Sequence, residues 1–196
     1  AMSSPVSSAR SALTPSLRRR FARTEAFLST SLPAPARLLD LGPPNTLGER
    51  LKKRGYEVAF TGTADLDEHP EAAVAQVAGA DADAVTAFEI LEHLVNPLGV
   101  LRAIRAPRLF VTVPMRLWFS SAYRNPRDPW DRHYHEFEDW QFDWLLEKAG
   151  WEGVRRERGT NPPPRWTVGV RPLLRRVTPR WYVVEARRAE VEDGSA

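Results

Sequence analysis

The stretch from Ala84 to Leu101, AVTAFEILEHLVNPLGVL, constrains this chain most. Ala84 to Phe88 is an apolar run of strand length. After it, Ile90, Leu91, Leu94 and, beyond Pro97, Val100 and Leu101 recur at a helical rather than an alternating spacing. A strand feeding directly into a helix is the repeating unit of an α/β sheet. Three polar residues, Glu89, Glu92 and His93, sit at the junction. Positions i, i+3 and i+4 share one helical face, so the spacing predicts two carboxylates and an imidazole pointing the same way. They would leave from the C-terminal end of a strand, the edge at which open α/β sheets take ligands.

The rest of the chain repeats that alternation. Leu17 to Leu32 has helical spacing, with Leu17, Phe21, Thr24 and Leu28 on one face, Arg19 and Arg23 opposite, and Pro33 and Pro35 ending it. Arg37 to Leu41 reads as a strand closed by Gly42-Pro43-Pro44. Asn45 or Thr46 can cap a helix that buries Leu47 and Leu51 and ends near Gly55. Tyr56 to Phe60 is a second strand, and Thr61 to Asp83 is Ala- and Asp-rich with weak periodicity. Pro107 to Val113 is a further strand. More than 20 residues rich in aromatics and turn formers follow, a length that in a compact domain marks a lid or binding segment. A helix from about Glu138 to Ala149, a strand from Trp151 to Arg158, a short amphipathic piece and a last strand from Trp181 to Ala186 complete the pattern. The expected fold is one α/β domain over residues 17–188, an open, doubly wound and mostly parallel sheet with an antiparallel pair at one edge. Residues 1–16 read as a tag remnant and flexible leader, and residues 189–196 as a disordered tail.

Composition narrows the classes. The chain has 196 residues, 42% hydrophobic and 27% charged, ordinary for a globular domain. With no cysteine it can hold neither a disulfide nor a thiolate metal site. No apolar run approaches the roughly 20 residues that span a bilayer, and the cytoplasm is the default location. The net charge is +3, but Lys52, Lys53 and Lys148 are the only lysines among 28 basic residues. Arginine favours planar, bidentate contacts with anions, and it clusters at Arg18–Arg20, Arg155–Arg158 and Arg171–Arg176. A phosphate or nucleic-acid partner is one reading; a compositional bias, shared with the abundant Ala and Pro, is the simpler one.

The blocks LLDLG, GYEV, DAVTAFEILEHLVNPLGVLRAI, LFVTVP and HEFEDWQFDWLLEKAGW, in that order, resemble the class I S-adenosylmethionine-dependent methyltransferases. Within that superfamily the chain is similar to the small-molecule O-methyltransferase branch, over roughly Arg37 to Arg187. The resemblance implies a Rossmann-like fold and S-adenosylmethionine as cofactor. It also implies cofactor contacts at Asp40, Leu41, Gly42 and Asn45 in the first turn, and at Phe88 and Glu89, which match the segment after the family's fourth strand. A strand-to-helix turn suits the cofactor's carboxylate because it presents N–H groups and a positive helix end. Two positions depart from the family. Pro44 stands where a second glycine is usual, and it lacks an N–H. The strand ending at Phe60 is followed by Thr61-Gly62-Thr63 where an acid normally meets the ribose hydroxyls. Either Asp65 or Asp67 replaces that acid, or cofactor affinity is low.

Glu89, Glu92, His93 and the later His135 resemble the divalent-metal site of small-RNA 2′-O-methyltransferases, and carboxylates with imidazoles suit Mg or similar ions. Without a metal, His93 or His135 can serve as a general base. His69 and His133 have no pattern around them and read as surface or loop residues. Three functions follow: O-methylation of a small metabolite or glycan, a methyltransferase-like binding protein that has lost catalysis, and metal-dependent RNA methylation. The first is preferred, because no RNA-recognition motif accompanies the domain.

Overall fold

A computed structural model describes residues 13–63, 66–67, 75, 81–161 and 169–189. Six strands form one sheet: β1 (Arg37–Asp40), β2 (Glu57–Phe60), β3 (Ala84–Phe88), β4 (Arg108–Pro114), β5 (Trp151–Gly159) and β6 (Trp181–Arg188). Their order is β2-β1-β3-β4-β6-β5. The first four are mutually parallel; β6 runs antiparallel to both β4 and β5. Among the described residues the helices are α1 (Pro15–Ser31), α2 (Thr46–Lys53), α3 (Pro97–Ala103), α4 (Asp139–Lys148) and α5 (Val170–Val177). Among the described residues, no helix is long and apolar enough to cross a membrane.

The central strands read as unbroken apolar runs because both faces of the sheet are covered. Alternate residues go to opposite layers. Leu38, Ala84, Phe110 and Val183 pack with Phe27 and Leu28 of α1 and Leu51 of α2. Their neighbours Leu39, Val85, Val111 and Val184 pack with Leu101 of α3 and Phe142 and Leu146 of α4. α1 also crosses to α2 through Glu25, which is fully buried and paired with Arg50 and Arg54. Those two ion pairs tie α1 to the C-terminal end of α2.

Local signals set the boundaries. Asn45 caps α2 by accepting from Gly48 N–H at 2.9 Å. α4 starts with a reciprocal capping box between Glu138 and Gln141. One expectation is corrected: Ile90 to Leu101 is not a continuous helix. A single 3₁₀ turn covers Leu91–His93, and α3 begins at Pro97 under an Asn96 cap. A residue before proline is pushed out of the helical region, and the Asp67 carboxylate holds the intervening Val95 and Asn96 N–H groups at 2.7 and 3.0 Å. The aromatic segment between β4 and α4 is irregular apart from one 3₁₀ turn at Pro129–Asp131. Its base is closed where Arg116 N–H donates to the Phe137 carbonyl at 2.9 Å.

Candidate functional site

The site is organised at the C-terminal ends of β1 and β3. The last ladder bond of β3 runs one residue past the strand, from Glu89 N–H to the Thr112 carbonyl at 3.0 Å. There the chain turns sharply, with Glu89 at φ +55°. A non-glycine residue in this region costs on the order of 1–3 kcal/mol, and such residues concentrate at functional sites. The turn aims Glu89 under α1, where Arg20 donates to its Oε2 at 2.7 Å. Its Oε1 is buried without a partner.

The helical-face prediction for Glu89, Glu92 and His93 is therefore half right. Glu92 and His93 stay together on the 3₁₀ turn, and Glu89 lies outside it. The aromatic segment is stitched to this turn by its backbone: Tyr134 and His135 N–H both donate to the Glu92 carbonyl, at 2.8 and 3.3 Å. That docking brings in His133 rather than His135. Among the described residues, Glu92, His93 and His133 place ligand atoms within 4.8 Å of one another. The His93 and His133 rings meet edge to face at 4.7 Å, and Tyr123 backs His133 at 4.4 Å. His135 instead stacks on Phe137, with Nε2 buried and unpartnered. So of the expected metal set Glu89, Glu92, His93 and His135, two members join the cluster. His133, read from sequence as a loop residue, completes it. The His-x-His pair was visible, but loop twist decides which ring faces Glu92.

Electrostatics in the cluster favour neutral groups. Glu92 is 1% exposed. Burial, then the neighbouring Glu89 carboxylate, raises its pKa well above the usual carboxylate range. Burial and the adjacent His93 lower the pKa of His133, keeping that imidazole unprotonated at neutral pH. His93 Nδ1 lies 3.0 Å from the Arg132 carbonyl, so Nδ1 carries the proton and Nε2 faces Glu92 Oε1 at 3.7 Å. This arrangement, one ring nitrogen tied to backbone and the other free, suits both a base and a metal ligand.

The cofactor-side residues divide. Gly42 and Glu89 line a cleft of about 720 Å³ that runs over the strand ends to His93, Pro129 and Trp130. Leu41, Asn45 and Phe88 line a smaller cleft of about 390 Å³ beneath α1, which also touches Glu89. Asp40 faces neither. It is 2% exposed, accepting from Thr86 Oγ1 and from Asn45 Nδ2 at 2.6 Å. Burial outweighs those bonds and raises its pKa to about 6. Gly42 takes φ +98° with Ile90 against it, and its N–H donates to Thr61 Oγ1 at 2.7 Å. The Gly42 N–H is therefore occupied within the turn. Thr61 stands next to Phe60, and its hydroxyl is spent inward. Asp65 lies outside the described residues. Asp67 borders the large cleft but also holds the Val95–Asn96 backbone.

No protein-family model and no curated protein matches the chain. Solved structures do match. The 1,6-didemethyltoxoflavin N1-methyltransferase of Burkholderia thailandensis, solved with 1,6-didemethyltoxoflavin and S-adenosylhomocysteine bound, is 22% identical with a TM-score of 0.59 over 87% of this chain and 78% of that one. A S-adenosylmethionine-dependent methyltransferase from Archaeoglobus fulgidus is 15% identical, with a TM-score of 0.53 over 86% of this chain and 94% of that one. The [4+2]-cyclase SpnF is 16% identical, with a TM-score of 0.55 over 88% and 83%. The chain has the fold of the class I S-adenosylmethionine-dependent methyltransferases. A cyclase shares it, so the fold by itself does not set the reaction.

Proposed function

We propose that this chain is a S-adenosylmethionine-dependent methyltransferase acting on a hydroxyl of a small-molecule acceptor. The observation that carries the reading is the position of one polar cluster. Glu92, His93 and His133 lie beside the large strand-end cleft, and His93 itself lines that cleft. Gly42 and Glu89 line that cleft and would hold S-adenosylmethionine, which would supply an electrophilic methyl group there. The acceptor oxygen attacks the methyl carbon as the S–C bond breaks. The hydroxyl proton passes to an imidazole, and S-adenosylhomocysteine is the product. His133, whose lowered pKa keeps it neutral, is available as that base. Support for this cofactor comes from the fold and from the neighbour that holds S-adenosylhomocysteine.

A metal-assisted version is favoured by one observation: Glu92 Oε2 is buried without a partner beside two imidazoles. One carboxylate and two nitrogens fit a transition ion better than Mg, which takes oxygen ligands. An ion held by Glu92, His93 and His133 would acidify the acceptor hydroxyl. Incubation of the purified chain with S-adenosylmethionine and a panel of hydroxylated metabolites, with S-adenosylhomocysteine release as readout, tests the reaction. Turnover that persists in EDTA rejects the metal version, and release of no S-adenosylhomocysteine on any acceptor counts against methyl transfer.

A further inference from the structure

Glu89 also borders a further cleft. This cleft holds about 410 Å³, within the range of small-molecule sites. α1 contributes Arg19, Arg20 and Arg23, and the turn into β6 contributes Arg180. Among the described lining residues these four guanidiniums face a single carboxylate, Glu89. Arg20 is paired with it. Arg19, Arg23 and Arg180 have no carboxylate within 4 Å among the described residues. Arg23 lies 5.8 Å from the ring of Trp181, which is buried and forms an apolar wall. Burial of Arg180, then the nearby Arg175 and Arg20, pushes its pKa down, and Glu89 offsets part of that.

A guanidinium fork matches carboxylate and phosphate geometry alike. Charge decides between them. One carboxylate would neutralise a third of the three guanidiniums that have no carboxylate partner among the described residues, whereas a phosphate monoester brings about −1.5 to −2 at pH 7. The cleft is also lined by His133, so it runs from the arginines to the base. Resting on the methyl-transfer reading above, we infer that this arginine-lined cleft seats the phosphate of a phosphorylated small-molecule acceptor and so directs its hydroxyl towards His133. The α1 arginines are then binding residues, and compositional bias is not their explanation.

The test titrates inorganic phosphate, glycerol 3-phosphate and a single-stranded oligonucleotide into the full chain by calorimetry, with S-adenosylhomocysteine titrated separately. Arg180→Gln and Arg23→Gln are compared with Arg105→Gln, which lies outside the cleft. Saturable binding of both phosphates, weakened about tenfold or more by Arg180→Gln and by Arg23→Gln and unchanged by Arg105→Gln, is the expected result. Thermal melts of the same samples show whether each variant is folded, and the two arginines, on separate elements, check one another. Absence of saturable phosphate binding, or equal loss in Arg105→Gln, overturns the inference. So does binding of the oligonucleotide alone with steep salt dependence, which would make the arginines a nucleic-acid surface. If S-adenosylhomocysteine binds and phosphate does not, this inference fails while the methyltransferase reading stands. If phosphate binds and S-adenosylhomocysteine does not, the donor reading fails and the acceptor role of the cleft falls with it.

Discussion

The two flanks of Glu89 are built on opposite plans. On the β1–β2 flank the chain satisfies itself: Thr61 takes the Gly42 N–H, Asn45 bridges Asp40 and the start of α2, and Asp67 secures the next turn. On the flank made by the 3₁₀ turn, the aromatic segment and α1, polar groups are left over. Glu89 Oε1, Glu92 Oε2 and His135 Nε2 are buried without partners. Buried polar atoms in native proteins are nearly always paired, so these three are the atoms a water, ion or ligand would satisfy. The first flank is closed by its own hydrogen bonds, and the second leaves buried polar atoms unpaired.

The largest expected effect tests that division. His133→Ala should lower methyl transfer about 10²-fold or more while S-adenosylhomocysteine affinity, read by calorimetry, is unchanged. A parallel loss of affinity would erase the distinction between the flanks. His135→Ala sharpens the comparison within the second flank. Its ring packs on Phe137 outside the cluster, so activity assays should show less than a tenfold fall. A loss equal to that of His133→Ala would restore the pairing expected from sequence.

On the β1–β2 flank the effects are on stability. Asp40 has a folded pKa of about 6, raised from 3.8. The folded state therefore holds this proton more tightly than the unfolded chain does. The stabilisation is full below about pH 4 and is lost as pH rises through 6. Asp40→Asn should remove that dependence. Urea melts should show the variant gaining on wild type by about 3 kcal/mol between pH 4 and 7. Smallest is Thr61→Val, which strands the Gly42 N–H and should cost about 1–2 kcal/mol in the same melts. The released donor should tighten S-adenosylhomocysteine binding, and weaker binding would show that the Thr61 hydroxyl itself serves the cofactor.

Most of the framework was legible in sequence because local physics writes it. Apolar runs gave β1, β3 and β4, proline and glycine gave the ends of α1 and α2, and Asn45 announced its cap. The site was legible only where neighbours in sequence are neighbours in space, as with Glu92 and His93. The continuous helix over Ile90–Leu101 was misread because Asn96-Pro97 and the distant Asp67 break it, and only the first of those is local. His133 enters through backbone bonds to the Glu92 carbonyl, and Arg20 and Arg180 converge from opposite ends of the chain. No spacing rule carries such contacts. The arginine clusters were visible, but their side chains gain meaning only once α1 lies over the strand ends.

The central claim is that the cleft over β1 and β3 binds the methyl donor. Calorimetric titration of the full chain with S-adenosylhomocysteine tests it most directly. One saturable site is expected, with a dissociation constant on the order of micromolar, about −8 kcal/mol. No detectable heat at millimolar ligand would contradict it.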